Sequence, residues 1–173
     1  MNESIDNSEL FIHGYCLWRL DKRDKKGGGV AFYVKRNIDC EIISKYEQEH
    51  IKALWLEVKA HPQRLLVGCV YRPPAWLPRL LWSFKLDPQT YMENTYEVLI
   101  TGDFNANLLL NSDIYTKKIC QIMDYYSYKN LIMRPTCTTE TTNTPLDLIL
   151  VIRDADVFDS AIADHKFIYA VYN

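Results

Sequence analysis

The sequence predicts a layered α/β or α+β sandwich, and three observations lead to that class. Apolar runs of strand length are many and short. Segments with helical periodicity are few. Several of the runs alternate incompletely, as strands do when both faces are covered. A doubly wound parallel sheet, with helices regularly interposed, fits this pattern less well. The chain has 173 residues, and they read as a single domain over 1–173.

The elements follow in order. Gly27-Gly28-Gly29 comes after a charged stretch and before Val30-Ala31-Phe32-Tyr33-Val34, which reads as a hairpin leading into a strand. Ala53–Val58 is a second strand, and Arg64–Tyr71 a third that stops where Arg72-Pro73-Pro74 can no longer supply ladder donors. From 75 to 96 two tryptophans and two prolines predict a loop, with a short helix from Asp87-Pro88. Glu97–Thr101 is a strand ending at Gly102-Asp103. A helix capped by Asn111 or Ser112 then carries Tyr115, Ile119, Ile122, Met123 and Tyr126 on one stripe. Leu146–Ile152 and Phe167–Tyr172 are the last strands predicted.

Composition excludes several classes. Hydrophobic residues make up 48% and charged residues 24%, so the chain can bury a core and is not disordered. No apolar run approaches the ~18 residues of a membrane span. The first residues, Met1 to Asp6, are polar and acidic, unlike a signal peptide. The five cysteines are far apart and form no CxxC pair. They are expected to be reduced, mostly buried thiols in an intracellular protein, nuclear or cytoplasmic, not zinc ligands. The net charge of −2 does not advertise nucleic-acid binding. Between Arg19 and Arg36, however, seven Lys/Arg stand against two Asp, which is either a solvated loop or a local basic rim.

Four signals at strand ends carry chemistry. In Gly102-Asp103-Phe104-Asn105, Asp103 can ligate a hard cation or donate a proton, and Asn105 can hydrogen-bond a phosphate oxygen; the competing reading is a strand-ending turn. In Asp164-His165 a carboxylate and an imidazole can provide a metal ligand and a general base together, or be loop polar groups. Asp147 sits in the apolar run Leu146–Leu150, where it needs a partner such as an imidazole, unless it is an inward charge on an edge strand. Tyr71, before Arg72-Pro73-Pro74, can present its hydroxyl to a phosphate oxygen, although 12 tyrosines make this residue unremarkable alone.

The order of these signals is more specific than any one of them. Glycine-led strand, Tyr-Arg-Pro-Pro, Gly-Asp-Phe-Asn, Leu-Asp-Leu-Ile and Asp-His together resemble the endonuclease/exonuclease/phosphatase family. Ile12-His13-Gly14-Tyr15, Gly27–Ala31 and Arg134-Pro135-Thr136 further resemble its non-LTR (LINE-type) retrotransposon endonuclease branch, and the likeness runs from about Ser4 to Tyr169. The resemblance implies a four-layer sandwich, two β-sheets flanked by helices. It also implies phosphodiester hydrolysis with Mg²⁺ or Mn²⁺. By motif match His165 is the general base, Asp147 orients it, and Asp103 protonates the leaving oxygen or helps activate water. Asn105 and Tyr71 hold the phosphate, Asp164 and Asp103 lie by the metal, and Thr136 contacts the substrate backbone. DNA is the implied partner, with a reverse transcriptase domain in the full element and no membrane.

The sequence departs from the family pattern in two ways. The opening strands and the glutamate that is the family's principal metal ligand have no counterpart here, so an N-terminally truncated domain lacking the first strands, inactive or weakly active, is expected. Ala163 stands where a serine often precedes Asp-His. Three rival readings follow: a phosphatase or lipid phosphodiesterase of the same family, a catalytically dead nucleic-acid-binding remnant, and a structural protein in which these polar residues are all surface turns.

Overall fold

In the computed structural model the described residues are 5–21, 28–48, 51–59, 64–74, 96–108, 114–125, 127–138, 143–150, 154–158 and 167–171. Two apolar segments set the centre. The strands Ile51–Val58 (β4) and Arg64–Tyr71 (β5) pair antiparallel, and β4 is buried along almost its whole length on both faces. A strand covered on both sides has no polar face to show, which is why Ala53–Val58 reads as a near-continuous apolar run.

Around this pair the chain builds a five-stranded mixed sheet in the order β3-β4-β5-β6-β9, where β3 is Cys40–Gln48, β6 is Tyr96–Asp103 and β9 is Asp147–Leu150. Only β5 and β6 run parallel within it; the other neighbours are antiparallel. Tyr15–Leu20 (β1) and Val30–Lys35 (β2) form the hairpin expected at the glycines, with Gly28 at φ 84. Cys137–Thr138 (β7) pairs with Asn143–Thr144 (β8), and Asp154–Phe158 (β10) with Phe167–Val171 (β11). The helix α1 spans Ile114–Tyr125.

Strand alternation sends the two faces of the sheet to different layers. Ala53, Trp55, Leu66, Val70 and Val98 face one way and join Phe104, Ala106, Tyr128 and Ile119 of α1 in the main core cluster. Trp55 lies flat over Gly68. A Cβ on that glycine would sit 2.6 Å from the indole ring, so the large ring and the missing side chain are complementary. The opposite parity, Leu54, Leu56 and Cys69, faces the β1–β2 hairpin, which packs across β4 and β5. Burial on this side pushes the Cys69 thiol up to about 11, and the Ala31 backbone is its neighbour. Hairpin, sheet and helix are thus stacked layers, and the α+β sandwich class is the one found.

Differences from the sequence reading have local causes. The strands β1 and β3 are given no bounds by the sequence, which implies β1 only as an arm of the hairpin, and β7, β8 and β10 are not predicted. The first two carry Arg19 and Lys45, Glu41 and Glu47 among their apolar residues, and partly exposed strands of this kind give weak periodic signals. All five cysteines are free thiols, as expected, though Cys16 is exposed and only Cys137 is fully buried. The expected loop and short helix in 75–95 and the helix caps Asn111 and Ser112 lie outside the described residues. No described helix is long and apolar enough to cross a membrane.

Candidate functional site

Register places the chemistry on one row. Lys52 of β4 is opposite Tyr71 of β5, Tyr71 opposite Asp103 of β6, and Asp103 opposite Asp147 of β9. Paired residues share a face, so all four side chains belong to the hairpin side, at the end of the sheet where β5 and β6 finish. Two parallel strands that end together can present two functional groups side by side, and the antiparallel β9 starts there with the third.

The phenol of Tyr71 is pushed above its ordinary value, first by burial and second by the carboxylate of Asp103. A tyrosine in that state keeps its proton and serves as a hydrogen-bond donor. Asp103 closes β6 with an Asx turn, its Oδ1 accepting the Asn105 N–H at 2.9 Å. Asn105 is at φ 46 in the left-handed region, so the strand does not continue to it and the two side chains are related by a turn, not by strand alternation. The ladder nonetheless extends past the strand ends, with the Arg72 N–H donating to Asp103 O and the Phe104 N–H to Leu146 O, each at 2.9 Å.

Arg72 is the residue that the sequence reading left without a role. Its side chain is 0% exposed. Nε donates to Phe104 O at 2.5 Å, Nη2 to Asn105 O at 2.6 Å, and Nη1 to Pro73 O at 3.2 Å. The Arg72 carbonyl in turn accepts the Asn105 Nδ2 at 2.8 Å, and the guanidinium lies 5.2 Å from the ring centre of Tyr115 on α1. Its signal in the sequence was an arginine wedged between a strand and Pro-Pro, too close to water in appearance to be read as buried. Lys52 was missed for the same reason. It is 2% exposed inside an apolar strand, ion-paired with Glu47, and donates to Asp21 O at 2.6 Å.

Thr136 lies beneath the row, fully buried, and its hydroxyl accepts the N–H groups of Leu146 and Asp147, both at 3.0 Å. What the fold gives Thr136 is a support: buried, it reaches the start of β9. Thr136→Val should deprive two part-buried amides of this acceptor and cost ~0.5–1.5 kcal/mol in urea unfolding, most of it restored by Thr136→Ser. A valine variant as stable as the parent would refute that arrangement.

The structure therefore brings together Tyr71, Asp103, Asn105 and Asp147. Asp164 and His165 lie outside the described residues. No group of three His, Cys, Asp or Glu converges among the described residues. The donors at the site are carboxylates and an amide oxygen, which suit a hard cation. Mg²⁺ is commonly held by one or two protein carboxylates with water and phosphate, so the donor set fits it.

Comparison with known proteins bears on the fold and the family. The chain is similar in structure to the endonuclease domain of TRAS1, a telomere-specific non-LTR retrotransposon, with a TM-score of 0.68, 12% identity, and coverage of 91% of this chain and 79% of that one. It is also similar to D. rerio TDP2 complexed with single-strand DNA product (TM-score 0.61, 12% identity, 91% and 76% covered). A third similar structure is a Bacteroides thetaiotaomicron mannosyl-6-phosphatase (TM-score 0.56, 13% identity, 91% and 76% covered). At these identities the likeness is one of fold. No curated protein matches the sequence. Residues 2–165 match the model of the endonuclease/exonuclease/phosphatase family, and the chain belongs to that family.

Proposed function

We propose that this chain hydrolyses phosphodiesters in DNA as a retrotransposon-type endonuclease that uses Mg²⁺ or Mn²⁺. The observation that carries the reading is the side-by-side registry of Tyr71, Asp103 and Asp147, with Asn105 on the turn that Asp103 closes. Tyr71 and the Asn105 amide donate to non-bridging phosphate oxygens. His165 takes a proton from the attacking water, and Asp147 holds the imidazole in one tautomer. The water oxygen bonds to phosphorus and the P–O bond to the leaving group breaks in line; Asp103 in its protonated form delivers a proton to that oxygen or, as a carboxylate, helps activate the water. A bound divalent cation supplies charge neutralisation and polarisation of the phosphate, with Asp103 and Asp164 as the residues to hold it.

DNA is favoured over other phosphoesters by the likeness to the TRAS1 endonuclease domain and to a DNA-bound TDP2. A reverse transcriptase is the partner that the retrotransposon reading implies. The likeness to a mannosyl-6-phosphatase supports a second reading, a phosphatase of the same family. The test is nicking of supercoiled plasmid by the folded chain in Mg²⁺, beside His165→Ala and beside hydrolysis of p-nitrophenyl phosphate. Weak nicking that needs metal and disappears in the variant is the expected result. Monoester hydrolysis without nicking would favour the phosphatase. Salt-sensitive DNA binding with no hydrolysis of either substrate would replace the enzyme with a binding module.

A further inference from the structure

Asn105 has a conformation that its own sequence does not enforce. Asparagine is one of the few non-glycine residues that visit the left-handed region, and there its surroundings decide which way the carboxamide faces. Here one residue does most of the holding. The guanidinium of Arg72 takes the carbonyls of Phe104 and Asn105 together, fixing the turn from below, while the Arg72 carbonyl takes the Asn105 side-chain Nδ2. The direction of that last bond settles which way the carboxamide faces. Turned over, its oxygen would lie against a carbonyl oxygen, two acceptors without a proton between them. One N–H of Nδ2 is therefore spent on Arg72, and the other N–H of the same nitrogen is left for an anionic oxygen. The two carbonyls taken by Nε and Nη2 come from consecutive residues, and a planar fork spans them as a single ammonium cannot. The Tyr115 ring beside the guanidinium ties this unit to α1.

We propose that Arg72 is a positioning residue: by clamping the Phe104–Asn105 turn it sets the Asn105 carboxamide as a phosphate-oxygen donor. The role rests on the phosphoester reading above, but the clamp itself can be tested without turnover. The measurement is the ¹H–¹⁵N spectrum of the full chain, with the Asn105 side-chain NH₂ pair assigned by its loss in Asn105→Ala. In Arg72→Lys and Arg72→Met the pair should move to the position of a free, solvent-exchanging carboxamide while the far-ultraviolet circular dichroism stays native. Tyr115→Leu, which keeps the fork and removes its stacking partner, should give a smaller shift in the same direction. With a short DNA duplex and Mg²⁺, Arg72→Lys should lower kcat about 100-fold, the scale of a misplaced group, with KM changed only a few-fold.

An Asn105 pair that stays at its parental position in a folded Arg72→Lys chain overturns the clamp. Should the Arg72 variants fail to fold, an unshifted pair in Tyr115→Leu overturns it equally. Should the parent cleave nothing, the phosphoester reading falls alone, and the spectra still decide the clamp.

Discussion

Gly102→Ala is expected to prevent this chain from folding, the largest stability effect that a one-carbon change can have here. Gly102 is at φ 137, inside β6 and opposite Val70 of β5 in the parallel pairing. A Cβ there would lie 1.9 Å from Val70 O, 2.7 Å from Val70 N and 2.8 Å from Val70 C. All three are main-chain atoms of a central strand, so no side-chain rotation relieves the overlap. Relief requires β5 and β6 to separate, which breaks the ladder that delivers Tyr71 and Asp103 together. The cost should exceed ~4 kcal/mol, a large part of the ~5–15 kcal/mol that holds a domain folded. Gly68→Ala is the control. Its Cβ meets first the Trp55 ring, a side chain and not main chain, and the expected cost is ~1–3 kcal/mol. Circular dichroism and urea unfolding of both variants check the pair. A Gly102→Ala chain that folds with less than the cost of Gly68→Ala would show that β5 and β6 do not meet in this register.

This glycine also marks what a sequence reader can and cannot extract. Gly102-Asp103-Phe104-Asn105 was legible as a place where a strand hands over to chemistry, because an apolar run followed by Gly, Asp and Asn is a local pattern. That the glycine is needed by a neighbour 32 positions earlier is not local, and nothing in the spacing announces it. The same division runs through the rest of the fold. The strand β5 was read with its true bounds, since Arg64–Tyr71 is apolar and stopped by Pro73. The strand β3 was not, since its charged residues hide a partly exposed strand beside the fully buried β4. The side chains of the row were individually recognisable; the row was not. It needs Tyr71 to run parallel to Asp103 and antiparallel to Lys52, and pairing order is a property of the assembled sheet.

Buried cations were the harder omission. A lone carboxylate in an apolar strand stands out, and Asp147 was found that way. Arg72 and Lys52 were passed over because arginine and lysine are rarely fully buried. Arg72 is accommodated because the main-chain carbonyls of Phe104, Asn105 and Pro73 accept from it where the strands end; Lys52 is accommodated by Glu47 and the Asp21 carbonyl. Thr136 shows the reverse case. Its motif drew attention to it, but burial assigns it to the strand start that carries Asp147.

Asp103→Asn should leave the fold intact and remove the activity, and its two effects can be read separately. Asparagine keeps an oxygen where Oδ1 accepts the Asn105 N–H, so the turn and the β5–β6 register survive the exchange. What disappears is the negative charge and the transferable proton. If Asp103 supplies a proton in the reaction, nicking should fall about 10²–10⁴-fold, the usual worth of a positioned acid or base. The charge can be followed without turnover through Tyr71. Burial is the main cause that raises the Tyr71 phenol and Asp103 is the second, so removing the carboxylate should move the Tyr71 titration back toward its ordinary value of 10.0 without reaching it. The sign follows from the phenol's ionisation: a neighbouring anion opposes a second negative charge, and its loss lets the phenolate form at lower pH. Tyrosine ¹³Cζ shifts followed from pH 8 to 12, with Tyr71→Phe to assign the signal among the 12 tyrosines, provide the measurement. A Tyr71 titration unmoved by Asp103→Asn would mean that phenol and carboxylate do not face each other, and the shared site would lose its geometric basis. A titration that moves while nicking persists would keep the site and transfer the leaving-group proton to another residue.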